Sequence, residues 1–178
     1  MVFVAVLACP IPHRFSIGLV LFSIASFTDF LDGHYARKHN LITTFGKLMD
    51  PLADKILMCS AFVVLCEERL IPAWVVVIII GREFLVTGIR LVATSQGAVL
   101  AADNLGKLKT VFQISTVIYL LVFLASQEPA FAWIAPLFEV PALGTAVLGR
   151  VLIGLSLLST VISGLNYLVA NRQLLSDC

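Results

Sequence analysis

Four aspartates in an otherwise largely apolar stretch, residues 29–54, carry the strongest chemical signal in this sequence. If the first part of the stretch is helical, Asp29 and Asp32 share one helical face. If the second part is helical, Asp50 and Asp54 share one too. Four carboxylates brought together repel each other strongly unless a cation lies between them. Because the set offers oxygen ligands without Cys or His, it favours Mg²⁺, Mn²⁺ or Ca²⁺ over zinc.

Four further residues occur at fixed spacing in the same stretch: Gly33, Ala36, Arg37 and Gly46. Together with the aspartates they form the pattern Asp-x2-Asp-Gly-x2-Ala-Arg-x8-Gly-x3-Asp-x3-Asp. This pattern resembles the signature of the CDP-alcohol phosphatidyltransferase family, and all eight fixed positions match. The resemblance implies an enzyme that transfers a phosphatidyl group from a CDP-linked lipid to an alcohol and releases CMP.

The resemblance also implies roles for the aspartates. Two divalent cations, Mg²⁺ or Mn²⁺, neutralise the pyrophosphate of the donor and stabilise the leaving phosphate. By similarity, the metal ligands are Asp29, Asp32 and Asp50. Asp54 is expected to contact a metal as well and to act as the catalytic base that takes the proton of the acceptor hydroxyl. The alternative is that these carboxylates are merely solvated residues of loops and helix ends.

A second set of motif residues is expected to bind the CDP group: Asp29, Gly33, Ala36, Arg37 and Gly46. The small side chains let a nucleotide lie close to the helices. The guanidinium of Arg37 can form bidentate hydrogen bonds with a phosphate. Close helix packing, which is common in membranes, is the alternative role of the small residues.

The composition predicts a membrane protein rather than a soluble domain. Hydrophobic residues make up 60% of the 178 residues and charged residues only 13%, with a mean hydropathy of +1.01. We therefore expect an all-α, polytopic transmembrane helical bundle, folded as a single domain over residues 1–178, with no nucleic-acid partner. Five apolar runs predict spans at about residues 15–31, 44–66, 70–91, 110–125 and 145–170. Since family members usually have six spans, the first span is expected to be truncated here to the short apolar segment 1–8.

The distribution of Arg and Lys predicts the orientation. With alternating spans, nine of these residues fall on the side of the aspartates: Arg37, Lys38, Lys47, Lys55, Arg82, Arg90, Lys107, Lys109 and Arg172. Three fall on the other side: Arg14, Arg69 and Arg150. By the positive-inside rule, the aspartates of a multi-pass cell-membrane protein would then face the cytoplasm.

Four of these cations, in residues 82–109, are candidates for binding the phosphate of an acceptor: Arg82, Arg90, Lys107 and Lys109. A cation inside an apolar span, such as Arg82, is costly without an anionic partner. Four cations beside a metal site therefore favour an acceptor that carries its own phosphate. Two alternatives stay open: Arg82 pairs with Glu83 or with a motif aspartate, and the lysines are ordinary positive-inside anchors.

Several short segments, at residues 50–55, 81–84, 88–91 and 105–110, resemble the bacterial glycerophosphate phosphatidyltransferase branch of the family. This implies CDP-diacylglycerol and glycerol 3-phosphate as substrates, phosphatidylglycerol phosphate and CMP as products, membrane lipids as surroundings and a homodimer. The competing hypotheses are another acceptor (inositol phosphate, phosphatidylglycerol or serine), a cation transporter, and a non-catalytic membrane metal-binding or scaffold protein.

Overall fold

The computed structural model describes the backbone of residues 2–39, 44–95 and 104–170. Within these ranges, the side chains of residues 29–39, 44–54, 92, 94–95 and 104–105 lie outside the described part. The described backbone is helical with turns and contains no strand, which confirms the predicted all-α class.

Five long helices form the bundle: α2 (Arg14–His39), α3 (Thr44–Glu67), α4 (Ala73–Ser95), α5 (Asn104–Ser126) and α7 (Arg150–Ala170). Two short helices, α1 (Val2–Ala8) and α6 (Ala135–Glu139), accompany them. The shortest long helix has 21 residues, which at 1.5 Å per residue gives about 32 Å, close to the thickness of a hydrocarbon core. In the described chain, the stretches Gly106–Ser126 and Thr145–Ala170 are both long and apolar enough to cross a membrane.

The long helices follow the five predicted apolar runs, although several of their ends differ from the prediction. Two of these differences involve charged residues. Helix α2 continues to His39, so Arg37 and Lys38 belong to the helix rather than to a polar link. Helix α5 begins at Asn104, so Lys107 and Lys109 lie in its first two turns rather than before it. In both places a helix continues through charged residues, because Lys and Arg are good helix formers.

The hydrophobic core joins α1 to α5 in one cluster. Its fully buried large side chains come from three of the long helices and the turn before α4: Phe22, Phe62, Leu65, Ile71, Val117, Leu120 and Leu121. Helix α1 packs closely on α2, since a Cβ on Gly18 would lie 2.7 Å from Leu7 Cδ2. The rings of Phe3 and Phe22 also pair, with centroids 5.7 Å apart. Dispersion and apolar burial therefore fix where α2, the first motif helix, lies.

Helix α7 packs through a face of small and polar residues. Ser156, Thr160, Ser163, Gly164 and Tyr167 are buried on this face, and Gln113 Nε2 of α5 donates a hydrogen bond to Thr160 Oγ1 at 3.1 Å. The opposite face exposes large aliphatic side chains: Val151, Leu155, Leu158, Ile162, Leu165 and Val169. Small residues and hydrogen bonds toward neighbouring helices, with an apolar outer face, are typical of helix packing in membranes.

The start of α2 is fixed by two carboxylates from distant parts of the chain. Glu128, in the turn after α5, accepts hydrogen bonds from the backbone N–H groups of Phe15 and Ser16, both at 2.9 Å, and from the Ser16 hydroxyl. Glu68, in the turn after α3, pairs with Arg14 at 2.7 Å. The N–H groups of a first helical turn have no partner inside the helix, so Glu128 satisfies two of them and also complements the helix dipole.

Candidate functional site

The aspartate motif lies on two consecutive helices. Asp29 and Asp32 fall in the second half of α2, and Asp50 and Asp54 fall in the first half of α3. Both segments are therefore helical, which is what the prediction of shared helical faces requires at spacings of three and four residues. The side chains of these aspartates lie outside the described residues, so their roles as metal ligands and base stay predictions.

The residues predicted to bind CDP lie on the same two helices. Gly33, Ala36 and Arg37 follow Asp32 within α2, and Gly46 lies in the first turn of α3. They too are outside the part of the chain whose side chains are described. Their expected nucleotide contacts therefore remain predictions.

Four charged side chains from three helices come together, and one of them, Lys55, directly follows the motif in the chain. We call Lys55, Arg82, Glu83 and Lys109 the charged cluster. Its centre is the Oε1 atom of Glu83, which pairs with Lys109 Nζ and lies 3.4 Å from Arg82 Nη1. The three side chains of this centre are largely withdrawn from solvent, with 13% of Glu83, 12% of Arg82 and 6% of Lys109 exposed. Buried charges in such an arrangement depend on one another, because removing one leaves the others without compensation.

Arg82 is also held from the side of α7. Its Nη2 donates a hydrogen bond to Ser163 Oγ at 2.6 Å. Its aliphatic stem lies against Gly164, where an added Cβ would be 3.0 Å from Arg82 Cγ. A glycine at this position therefore provides the space in which the guanidinium crosses from α4 toward α7.

Lys55 joins the charged cluster to the aspartate motif. It follows Asp54 directly, and its Nζ donates to the backbone carbonyl of Glu83 at 3.3 Å. This contact ties α3 to α4 one residue beyond the last motif aspartate. The structure thus brings the region predicted to bind the acceptor next to the region predicted to hold the metal.

The four predicted acceptor residues occupy two different environments. Arg82 and Lys109 are in the charged cluster, whereas Arg90 and Lys107 are at exposed positions of α4 and α5. The pairing of Arg82 with Glu83, which the sequence left as an alternative, is present, and Lys109 shares the same carboxylate. A phosphate-binding role of all four remains a prediction, since an ion pair orients a cation without deciding what else it binds.

Sequence reasoning gave no role in the site to Glu83 beyond a possible pairing with Arg82, and none to Lys55 or Ser163. The available signal was an Arg-Glu pair in the middle of an apolar helix, where both charges need partners. The identity of the other partners could not be obtained from spacing, because Lys109 lies 26 positions after Glu83 and Ser163 lies 81 positions after Arg82.

An apolar groove of about 430 Å³ lies between α3 and α4 and is lined by residues that include Val63, Val76 and Ile80. The lining residues that the structure describes include no charged side chain. A phosphate or nucleotide is therefore expected at the motif and the charged cluster rather than in this groove.

The chemistry of the motif fits a hard divalent cation. Its potential ligands are carboxylate oxygens from two helices, the type that Mg²⁺ and Mn²⁺ prefer. Among the side chains that the structure describes, no group of three His, Cys, Asp or Glu residues is placed to hold a metal; the motif aspartates lie outside that set. The donor types and the helical backbone fit a metal site at the motif, and that site stays a prediction.

Comparisons with known proteins agree with this picture. Residues 1–162 match the family model described as CDP-alcohol phosphatidyltransferase. A Bacillus subtilis protein is 54% identical over 112 residues, which are 63% of this chain and 58% of that protein. A Rickettsia felis protein is 31% identical over 157 residues, 88% of this chain and 80% of its own length. A Rickettsia prowazekii protein is 32% identical over 154 residues, 86% of this chain and 78% of its own. All three are named CDP-diacylglycerol–glycerol-3-phosphate 3-phosphatidyltransferase.

Proposed function

The chain belongs to the CDP-alcohol phosphatidyltransferase family, and we propose that it transfers the phosphatidyl group of CDP-diacylglycerol to sn-glycerol 3-phosphate, giving phosphatidylglycerol phosphate and CMP. The names of its relatives support the reaction. The observation in the molecule that carries the proposal is the charged cluster: Arg82 and Lys109, two cations suited to a phosphate-bearing acceptor, converge on Glu83, whose backbone is tied to the residue after Asp54.

The donor site is proposed at the motif. Asp29, Asp32, Asp50 and Asp54 would hold two divalent cations, Mg²⁺ or Mn²⁺, which when bound neutralise the donor phosphates and make the phosphorus open to attack. Asp29 would also contribute to CDP binding. Gly33, Ala36 and Gly46 would allow the nucleotide to lie against the helices, and Arg37 would contact a donor phosphate.

The proposed mechanism gives one residue the role of general base. Asp54 takes the proton of the acceptor hydroxyl as that oxygen attacks the phosphorus. The bond from phosphorus to the acceptor oxygen forms while the bond to the CMP oxygen breaks, and CMP leaves with the electron pair. Both substrates must therefore be held with the attacking and leaving oxygens in line.

The acceptor phosphate is proposed to bind at residues 82–109, through Arg82, Arg90, Lys107 and Lys109. The two exposed cations, Arg90 and Lys107, would meet the phosphate first as it arrives from water, because long-range attraction acts on accessible charges. The two cluster cations, Arg82 and the buried Lys109, would fix it in place by charge-assisted hydrogen bonds.

Two helices apolar enough to span a bilayer, together with the family, indicate a membrane protein. We further propose a multi-pass cell-membrane protein whose motif faces the cytoplasm, in line with the distribution of Arg and Lys. The five long helices would correspond to five of the six spans that the family resemblance implies, within one domain, and two copies would form a homodimer.

An acceptor screen tests the proposal. The full chain in detergent micelles receives labelled CDP-diacylglycerol with glycerol 3-phosphate, inositol phosphate, serine or phosphatidylglycerol, each with Mg²⁺, Mn²⁺ or EDTA. We expect labelled phosphatidylglycerol phosphate only with glycerol 3-phosphate and a divalent cation. Turnover of a different acceptor alone would replace the proposed substrate, and product formation unaffected by EDTA would remove the metal mechanism. Metal binding without turnover of any acceptor would favour the non-catalytic alternative.

A further inference from the structure

We propose that Glu83 is a positioning residue for the acceptor, and that its carboxylate orients Arg82 and Lys109 toward the acceptor phosphate. The inference rests on the proposed function and deepens it by assigning a role to the acidic residue among the cations. Glu83 would not touch the substrate itself, since it carries the same sign of charge as a phosphate.

The geometry of one atom carries the inference. Lys109 comes from α5 and Arg82 from α4, and both contact Oε1 of Glu83 rather than one oxygen each. The two cations repel each other, and their shared contact with Glu83 Oε1 holds them close together despite this repulsion. An ammonium has three N–H donors, so Lys109 can pair with this one carboxylate oxygen and also donate to a phosphate.

The position of Glu83 itself is fixed from two sides. Its backbone carbonyl accepts a hydrogen bond from Lys55 of α3 at 3.3 Å. On the other side, Arg82 is fixed to α7 through Ser163. Contacts that meet at residues 82–83 of α4 therefore join this helix to three others, α3, α5 and α7. The Glu83 carboxylate is the part of this arrangement that sets the direction of the two cations.

A different role for Glu83 would have the opposite effect on acceptor binding. If its carboxylate occupied the place of the acceptor phosphate, removing its charge would free both cations and strengthen acceptor binding. If it orients them, removing its charge weakens acceptor binding, because the cations lose a charge-assisted hydrogen bond at their shared atom. The sign of the change in the Michaelis constant separates the two roles.

Glu83→Gln and Glu83→Asp, each in the full chain, test the proposal. We expect Glu83→Gln to raise the KM for glycerol 3-phosphate about tenfold or more, the order expected for losing an interaction with a charged group. The KM for CDP-diacylglycerol should stay within about twofold. General damage to the fold would instead change the KM of both substrates. Glu83→Asp keeps the charge and should restore part of the affinity. An unchanged or lowered KM for glycerol 3-phosphate, or an equal rise for both substrates, would overturn the proposal.

A second measurement does not depend on turnover. Lys109 is buried and Lys107 is exposed on the same helix, so an amine-reactive reagent followed by mass spectrometry should modify Lys107 faster in the parent protein. We expect Glu83→Gln to narrow the ratio of the two rates by about threefold or more, since Lys109 loses the charge that holds its ammonium. An unchanged ratio would overturn the orienting role of Glu83.

The labelling ratio also keeps this inference separate from the proposed function. If the acceptor screen reveals another phosphate-bearing acceptor, the KM test is repeated with that compound and the labelling test is unaffected. If Glu83→Gln does not fold, judged by thermal unfolding, Glu83→Asp undergoes both measurements. Its KM for glycerol 3-phosphate should rise by less than is expected for Glu83→Gln, and its labelling ratio should change by less. Parent-like values of both quantities would overturn the proposal.

Discussion

Glu83 and Glu128 are both carboxylates that gather several donors, but they do so in different regions and with different partners. Glu83 lies within α4, 13% exposed, and its Oε1 pairs with the side chains of two cations near the aspartate motif. Glu128 lies in the turn after α5 and accepts hydrogen bonds from two backbone N–H groups and a hydroxyl at the start of α2. One carboxylate organises charged side chains, and the other completes a helix terminus.

The difference separates contacts that serve the fold from contacts that serve the proposed reaction. The partners of Glu128 are uncharged groups whose need for an acceptor arises from the helix itself. The partners of Glu83 are cations, which a membrane helix retains only at a cost. We therefore expect changes at the start of α2 to affect stability, and changes at the motif and the charged cluster to affect turnover or acceptor binding.

The largest expected effect is on the motif side of this comparison. Asp54→Asn should lower the turnover number by a factor of about 10² to 10⁴, the range for loss of a general base. Binding of CDP-diacylglycerol should persist, because the three other motif aspartates remain. Turnover measured with saturating substrates, together with binding of labelled donor lipid, checks both expectations.

Glu128→Gln, measured in parallel, is the control from the other region. Its turnover per folded molecule should match that of the parent protein, since Glu128 lies at the far end of α2 from the motif. If Asp54→Asn retained turnover, the base would have to be sought elsewhere. If both variants lost turnover alike, the separation between the two regions would be wrong.

The sequence predicted the long helices better than the contacts between them. Five apolar runs correspond to α2, α3, α4, α5 and α7, because hydrophobic length is a local property that one stretch of chain reveals by itself. Two of the errors at the helix ends fall at charged residues. The positions of Lys107 and Lys109 looked like the end of a polar connection, but Lys109 is buried within α5, where Glu83 of another helix compensates its charge.

The candidate site shows the same division between local and distant information. The spacing of Asp29, Asp32, Asp50 and Asp54 was readable because consecutive helices present residues three and four positions apart on one face. The contacts of Glu128 with Phe15 and Ser16 span more than 110 positions of the chain. No periodicity of a single segment encodes such a contact, since it depends on how the helices pack.

A smaller effect is expected where α7 supports the charged cluster. Gly164→Ala would place a Cβ 3.0 Å from Arg82 Cγ, so the arginine stem must shift by a few tenths of an ångström. Because Arg82 is proposed to bind the acceptor phosphate, we expect the KM for glycerol 3-phosphate to rise about three- to fivefold, corresponding to roughly 1 kcal/mol. The turnover number at saturating acceptor should change less. Steady-state kinetics with the acceptor varied provide the measurement.

Gly154→Ala is the matched control on the same helix. Among the described residues, nothing beyond the local backbone of α7 lies within 4 Å of a Cβ added at Gly154. The substitution should therefore leave both Michaelis constants unchanged and raise helix stability slightly. Equal kinetic effects of the two substitutions would show that a methyl group anywhere on α7 disturbs the kinetics. That result would contradict a role of Arg82 in acceptor binding. A rise confined to Gly164→Ala would strengthen the assignment of the charged cluster to acceptor binding.

The smallest expected effect on turnover lies at the start of α2, where the expected change is in stability and depends on pH. Partial burial acts to raise the pKa of Glu128, but the hydrogen bonds from Ser16 and Phe15 and the nearby His13 outweigh it, so the pKa lies below its ordinary value. A carboxyl with a lowered pKa in the folded state stabilises the protein above its pKa in the unfolded chain. This stabilisation is lost as the pH falls through the lowered pKa.

Glu128→Gln should therefore destabilise the protein by about 1–2 kcal/mol near neutral pH, since an amide oxygen accepts hydrogen bonds more weakly than a carboxylate and adds no charge at the helix N-terminus. The difference from the parent protein should shrink below about pH 4.5, where the parent carboxylate is protonated in the unfolded chain and then in the fold. Thermal unfolding in detergent, followed from pH 7 to pH 4, measures this convergence. Glu139→Gln, at an exposed position in α6, is the control and should leave the curve unchanged. A constant difference between Glu128→Gln and the parent at every pH would mean that the side chain stabilises α2 by its shape alone and that its charge contributes nothing.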